Sequence, residues 1–159
     1  MIRILKYKWD KNKDKLREAI KKIQDMSDLS YEKLVKLTFD NIFNIDGGAK
    51  YDFTLNTDKI TVIDDGDYQG TQLFMIPFDR YQPDCYEYLM TYVWYGSCSG
   101  CDTLLGIVNY CDDSPTDEQV EDLMTLCRDL VMHTIKPYRG GWFDEKDFEQ
   151  VEFEEKKDD

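Results

Sequence analysis

Apolar residues near the start of the chain recur at three- and four-residue steps, the spacing of one face of a helix. This spacing predicts a first helix over residues 10–26, with lysines on its remaining faces. Ser30 predicts the start of a second helix, because its side chain can accept hydrogen bonds from the free amides of a first turn. Gly47 and Gly48 are expected to end that helix. The apolar positions of the two helices are Leu16, Ala19, Ile20, Ile23, Met26, Leu34, Val35, Leu37, Ile42 and Phe43.

From residue 49 the apolar period changes to that of β-strands. Four short runs rich in β-branched and aromatic residues are separated by segments that contain turn-forming residues. These runs predict an antiparallel meander of about four strands. The last two runs are apolar on both faces, so we expect central strands covered by helices, with Trp94 in the core. The runs span residues 49–56, 59–64, 71–79 and 86–97.

Two more helices are predicted after the strands. Asp102 is placed to cap a short helix in "DTLLGIVNY", and Ser114 or Thr116 is placed to cap a long one that Pro137 ends. The pattern therefore predicts an α+β fold with two N-terminal helices, a meander, and then a short and a long helix. We expect a single domain over residues 1–159, with 1–46 helical, 49–159 forming the sheet and C-terminal helices, and the last few residues frayed.

Composition narrows the class of protein. The chain has 159 residues, of which 42% are hydrophobic and 14% aromatic, enough to build a core. An apolar run of about 18 residues, as a membrane span needs, is absent from the sequence, as is a secretion signal. The five cysteines are an odd number, so reduced thiols are expected rather than a disulfide framework. These features predict a cytosolic protein.

Charge is unevenly distributed along the chain. The formal net charge is −13, yet Met1 to Lys22 has nine basic and three acidic residues, so the rest carries −19. Such an acidic body repels nucleic acid and anionic membranes and attracts basic surfaces, including the channels in which nucleases hold phosphate backbones. Direct binding to nucleic acid or membrane is therefore not expected. The lysine-rich first helix is expected to dock on the acidic body or to present a solvated face.

The segment "YGSCSGCD", Tyr95 to Asp102, allows three interpretations. Cys98 and Cys101 have the spacing of one zinc knuckle, although further ligands would have to come from the single cysteines Cys85 and Cys111. The same pair could be a redox dithiol before a helix. A tight corner between a strand and a helix is favoured, with Asp102 as the cap and glycines at positions that need unusual backbone conformations.

Calcium-binding and catalytic sites are only weakly indicated by the sequence. In "DDGDYQG", residues 64–70, the acids resemble the start of a calcium loop, but Ile76 falls where a glutamate is required, so an exposed acidic turn is preferred. The single histidine, His133, lies near the predicted end of the long helix. Recognisable catalytic motifs are missing from the sequence. We therefore expect a protein without enzymatic activity and without a cofactor.

One local signature carries a resemblance. The stretches "VIDDGDYQGTQLFMIPFD" and "YVWYGSCSGCDTLL" resemble a group of small acidic proteins encoded by bacteriophages and mobile elements of low-GC Gram-positive bacteria, over roughly Ile60 to Gly106. This resemblance implies a phage setting and the cytoplasm of a bacterial host. In size and charge the chain is also similar to anti-CRISPR proteins that bind Cas9.

Together these expectations suggest an inhibitor of a host nuclease, a Cas9-type effector, that acts by protein contact. Acidic side chains would occupy basic positions on that partner, and buried aromatics would hold the complex together. The alternative left open is a small zinc-binding or thiol-redox module that uses Cys98 and Cys101. The candidate partner-binding residues are Asp64, Asp65, Asp67, Asp112, Asp113, Asp117, Glu118, Glu121, Asp122, Trp142 and Phe143, with Trp94 and Tyr95 as further possible anchors.

Overall fold

The helices of this α+β protein cover one face of an antiparallel sheet. A computed structural model describes residues 2–44, 54–109 and 113–136. The elements in chain order are α1 (Ile2–Lys21), α2 (Tyr31–Ile42), β1 (Thr61–Asp64), β2 (Gly70–Pro77), β3 (Tyr88–Tyr95), α3 (Thr103–Val108) and α4 (Asp117–Met132). The predicted order of two helices, a sheet, a short helix and a long helix is confirmed.

Helix α1 differs from its predicted bounds at both ends. Leu5 and Trp9 are buried and extend the apolar stripe toward the N-terminus, so the helix begins well before residue 10. It ends at Lys21 because Asp25 starts a separate 3-10 turn, where its side chain accepts a hydrogen bond from the Ser27 amide. The helix packs against α2 and α4, as expected for docking on the acidic body.

Capping residues set the starts of the other helices. The Ser30 side chain accepts from the Lys33 amide at 3.2 Å, which confirms the predicted cap of α2. Thr116, one of the two predicted candidates, caps α4 and forms a capping box with Gln119. The cap at the other end of α4 is His133, as its position suggested. The Ser30 and Thr116 side chains satisfy amides that a helix leaves without internal partners, whereas the His133 amide donates to the Asp129 and Val131 carbonyls.

The sheet has three strands in the described part of the chain, so the prediction of about four is wrong. The order is β1-β2-β3, and both pairs are antiparallel. Residues 49–53 of the first predicted strand lie outside the described ranges. Further along, Leu55 forms only an isolated bridge to Phe78, because the Asn44 side chain binds the amide and the carbonyl of Leu55 and a 3-10 turn follows at Thr57–Lys59.

One face of the sheet contributes to a hydrophobic core shared with the helices. Phe74 and Ile76 of β2 and Leu89 of β3 point into this core and are at most 1% exposed. Thr91 is buried beside them, and its hydroxyl donates to the Leu130 carbonyl of α4 at 2.6 Å. Hydrogen bonding makes a buried hydroxyl tolerable at this position and fixes α4 across the strand.

None of the helices in the described ranges combines the length and apolar composition needed to cross a bilayer.

Candidate functional site

The turn between β1 and β2 is an ordered acidic hairpin, defined here as residues 64–70. Asp64 accepts hydrogen bonds from the Gly66 amide at 3.0 Å, the Gln72 side chain at 2.9 Å and the Tyr95 hydroxyl at 2.6 Å. Asp65 accepts from the Thr71 amide at 2.6 Å. Two of the three predicted acids of this turn therefore fix its shape, while Asp67 is exposed.

Hydrogen bonding polarises the Asp64 and Tyr95 pair. The hydroxyl of Tyr95 is the main cause that lowers the pKa of Asp64, with Gln72 and the Gly66 amide adding to it. In return, the hydrogen bond to Asp64 raises the pKa of Tyr95 to about 12. Both shifts favour the ionic state in which the phenol donates to the carboxylate. The hairpin is therefore tied to the end of β3 across the neutral pH range.

Tyr95→Phe is expected to return the pKa of Asp64 toward its ordinary value of 3.8 and to speed amide exchange at Gly66. The contribution of Asp64 to stability is complete above pH 3.8 and is lost as pH falls through its lower folded value. The contribution of Tyr95 to stability is complete below pH 10.0 and is lost as pH rises through about 12. An NMR titration of the carboxyl group measures the change. Tyr92→Phe is the matched control, and an unchanged Asp64 titration in Tyr95→Phe would refute the assignment.

The sheet face turned away from the helices, here called the outer sheet face, is apolar and aromatic. Pairing across the strands places Ile63, Leu73 and Tyr92 in one row, and Thr61, Met75 and Met90 in the next. Trp94 lies beyond them, opposite Thr71. Ile63 is 49% exposed, Tyr92 40% and Trp94 54%. Solvated faces of antiparallel sheets are usually polar, so this composition is unusual.

The expectation that Trp94 lies in the core is wrong. Side chains alternate along β3, so Leu89, Thr91 and Val93 face the helices while Tyr92 and Trp94 face outward. Because both sets are largely apolar, the sequence gives no alternation from which the exposed face could be identified.

The acidic hairpin and the outer sheet face meet at one end of the sheet. Gly70, the last hairpin residue, pairs with Tyr95, and the adjacent pair joins Thr71 to Trp94. Tyr68, at the hairpin tip, is 81% exposed. The hairpin carboxylates and the exposed rings of Tyr68 and Trp94 therefore lie at the same end of the sheet, which we call the sheet-end surface, although the Asp64 side chain, in register with Gln72 and Val93, is on the helix-facing side.

The acids predicted near α4 form a second group. Asp117, Glu118 and Asp122 are exposed on the first two turns of this helix. Glu121 forms an ion pair with Arg17 of α1, so its charge is partly compensated within the chain. The backbone carbonyl of Asp113 accepts a hydrogen bond from the Met26 amide at 3.1 Å.

This second group belongs to a different part of the fold: the hairpin acids lie between β1 and β2, whereas these acids lie on α4 and in the segment before it. Three further predicted residues, Asp112, Trp142 and Phe143, lie outside the described residues.

The segment "YGSCSGCD" forms the predicted corner between β3 and α3. Asp102, only 5% exposed, caps α3 by accepting from the Leu105 amide at 2.9 Å, and it also accepts from the Gly96 amide and the Tyr31 hydroxyl. Gly96 is required for space, since a Cβ there would lie 2.5 Å from the Cys101 carbonyl oxygen. Neither Gly96 nor Gly100 has a φ between +20° and +160°, so the expected need for unusual backbone conformations is wrong.

A metal ion held by the two corner cysteines would need further ligands, and the described ranges do not supply them. Cys98 and Cys101 are free thiols, as is the exposed Cys85. Cys111, the other candidate ligand, lies outside the described residues. Among those described, His, Cys, Asp and Glu side chains are not gathered in threes or more where a metal ion could bind.

Comparisons with known proteins found no matching family model, no matching curated protein and no matching solved structure.

Proposed function

We propose that this chain is a non-enzymatic protein that binds and inhibits a host defence nuclease of the Cas9 type, in a bacterial cell that carries a phage or mobile element. The observation that carries the proposal is the sheet-end surface, where an ordered acidic hairpin adjoins exposed aromatic rings. The partner that binds the sheet-end surface is a protein with a basic surface and an apolar patch on it.

Charge supports this choice of partner. The chain carries a net charge of −13, and Asp64, Asp65 and Asp67 lie in the hairpin, at the same end of the sheet as Trp94. A protein that holds a nucleic-acid backbone presents the opposite charge. Complementary fields accelerate the encounter of such partners, and the effect weakens as salt rises. A second copy of this chain would instead be repelled.

The exposed aromatic side chains of the outer sheet face hold the complex together. Trp94 is exposed on a strand whose backbone is fixed by its pairing with β2. Rigid aromatic side chains of this kind lose little conformational freedom on binding and dominate many interfaces. Ile63 and Tyr92 extend the apolar area next to it. We propose that the acids speed association with the partner and that the aromatic residues slow dissociation of the complex.

An equimolar amount of the full chain is expected to stop DNA cleavage by a guide-loaded Cas9-type effector. Trp94→Ala should weaken binding by about 30-fold, chiefly through faster dissociation. Asp67→Lys should slow association several-fold at low salt and much less at high salt. Asp67 is chosen because Asp64 and Asp65 maintain the hairpin, so reversing their charges would change its shape. Calorimetry and stopped-flow association measure these effects.

Two variants provide matched controls. Tyr81→Ala removes a ring that is 96% exposed in the connection between β2 and β3, at the opposite end of the sheet. Asp14→Lys makes the same charge change on the exposed side of α1. Both should inhibit like the original chain. Failure of the chain to bind any such effector contradicts the proposal, and so does equal inhibition by Trp94→Ala and Tyr81→Ala.

A further inference from the structure

Cys98 and Cys101 are brought together by the corner between β3 and α3. The amides of Cys101 and Asp102 both donate to the Cys98 carbonyl, at 3.0 and 2.9 Å. This turn places the Cys101 sulfur 3.1 Å from the Cys98 nitrogen and 3.3 Å from its carbonyl oxygen. Cys98 is exposed and Cys101 is half-buried, so both can be reached from solvent. The corner thus presents two thiols three residues apart.

Their surroundings favour a thiolate at Cys101. A hydrogen bond from the Cys98 side chain is the largest cause that lowers the pKa of Cys101; desolvation opposes it, and the backbone amides of Cys98 and Ser97 add to the lowering. The neighbouring Asp102 carboxylate is 5% exposed and accepts hydrogen bonds from the Tyr31 hydroxyl and from the Gly96 and Leu105 amides.

The other described cysteines differ from this pair. Cys127 is fully buried in α4, and burial raises its pKa to about 12. Cys85 is exposed, but a hydrogen bond with Asp84 raises the pKa of its thiol. Neither environment promotes a reactive thiolate at neutral pH. Among the four cysteines within the described ranges, reactivity is therefore concentrated in the corner.

We propose that Cys98 and Cys101 form a reversible dithiol–disulfide pair that exchanges with low-molecular-weight disulfides such as oxidised glutathione. The Cys101 thiolate attacks one glutathione sulfur, the glutathione disulfide bond breaks, and one glutathione leaves. Cys98 then loses its proton and attacks the Cys101 sulfur, which displaces the second glutathione. Both protein thiols are oxidised, one external disulfide is reduced, and the protons pass to the two glutathione thiolates. Neither thiol is among the residues assigned to partner binding, so the two proposals are tested separately.

The test uses the reduced full chain equilibrated with mixtures of reduced and oxidised glutathione. Differential alkylation and peptide mass mapping should show one species that has lost two hydrogens, with Cys98 and Cys101 protected together and Cys127 reduced. Cys98→Ser should stop at a stable mixed disulfide on Cys101. Cys101→Ser should react at least about threefold more slowly at neutral pH, because its remaining thiol lacks the contacts that stabilise the thiolate.

Two results would overturn the assignment. One is that both corner cysteines of the original chain are alkylated at every glutathione ratio, which would mean that the disulfide never forms. This result needs no variant. The other is a disulfide that joins Cys98 or Cys101 to Cys85, to Cys111 or to a second chain. A matched Cys85→Ser variant should leave formation of the corner disulfide unchanged.

Discussion

Asp102→Ala is expected to lower the free energy of unfolding by about 3–5 kcal/mol. The carboxylate is 5% exposed and accepts three hydrogen bonds, from the Leu105 amide at 2.9 Å, the Gly96 amide at 3.0 Å and the Tyr31 hydroxyl at 3.1 Å. Alanine would remove the cap of α3 and leave donors from α2 and the end of β3 without their acceptor. Urea unfolding should show a lower midpoint with an unchanged slope.

Matched variants separate these contributions. Asp102→Asn keeps an acceptor at the cap position but loses the charge, so a smaller loss is expected. Asp122→Ala removes an exposed carboxylate from α4 and should change the free energy of unfolding by no more than about 0.5 kcal/mol. An unfolding midpoint for Asp102→Ala equal to that of Asp122→Ala would show that the three hydrogen bonds do not stabilise the fold.

Tyr31 provides a second test of the same cluster. Its hydroxyl lies within hydrogen-bond distance of Asp102 and of the Leu104 amide, and burial raises its pKa. Tyr31→Phe should lower the free energy of unfolding by about 1–2 kcal/mol. Since both substitutions disrupt one network, the double variant should lose less than the two single losses added together.

The local parts of the fold could be predicted from the sequence. The caps Ser30, Asp102 and Thr116 act on amides within three residues, so their chemistry is visible in a short window. The acidic turn was likewise predicted from its residue types. What the pattern did not indicate was that Asp102 also binds a hydroxyl 71 residues away, because that partner depends on how α2 packs.

The missed features depend on tertiary contacts. The Tyr95 and Asp64 contact joins residues 31 apart, so the sequence alone presents the two as separate candidates for binding a partner. The extra strand was predicted at Leu55 because its residue types favour a strand, but the Asn44 side chain binds its backbone instead. Trp94 was misplaced because apolar residues occupy both sides of β3, which removes the alternation that reports burial.

These errors bear on the functional proposal. The sequence presents the acidic residues as one equivalent set, but in the structure Asp64 and Asp65 order the hairpin and Glu121 pairs with Arg17. Asp67 is left as the hairpin acid whose charge can be reversed with least effect on the local geometry. The exposure of Trp94 then supplies an anchor beside it, which charge alone could not provide.

Gly96→Ala is expected to lower the free energy of unfolding by about 2–3 kcal/mol, whereas Gly100→Ala should change it by no more than about 0.5 kcal/mol. A Cβ at Gly96 would lie 2.5 Å from the carbonyl oxygen, 2.7 Å from the sulfur and 2.8 Å from the carbonyl carbon of Cys101. Two of these atoms belong to the backbone, so the corner itself must shift. A Cβ at Gly100 meets nothing within 4 Å.

The two glycines belong to one motif, so each is the matched control for the other. Because Gly96 follows Tyr95 directly, a shift at Gly96 should also move the Tyr95 hydroxyl away from Asp64 and return the pKa of that carboxyl toward 3.8. Urea unfolding and an NMR titration of both variants measure the two effects. Equal midpoints would show that the space at Gly96 is not what the fold requires. A destabilised Gly96→Ala variant with an unchanged Asp64 titration would show that the corner and the acidic hairpin are independent.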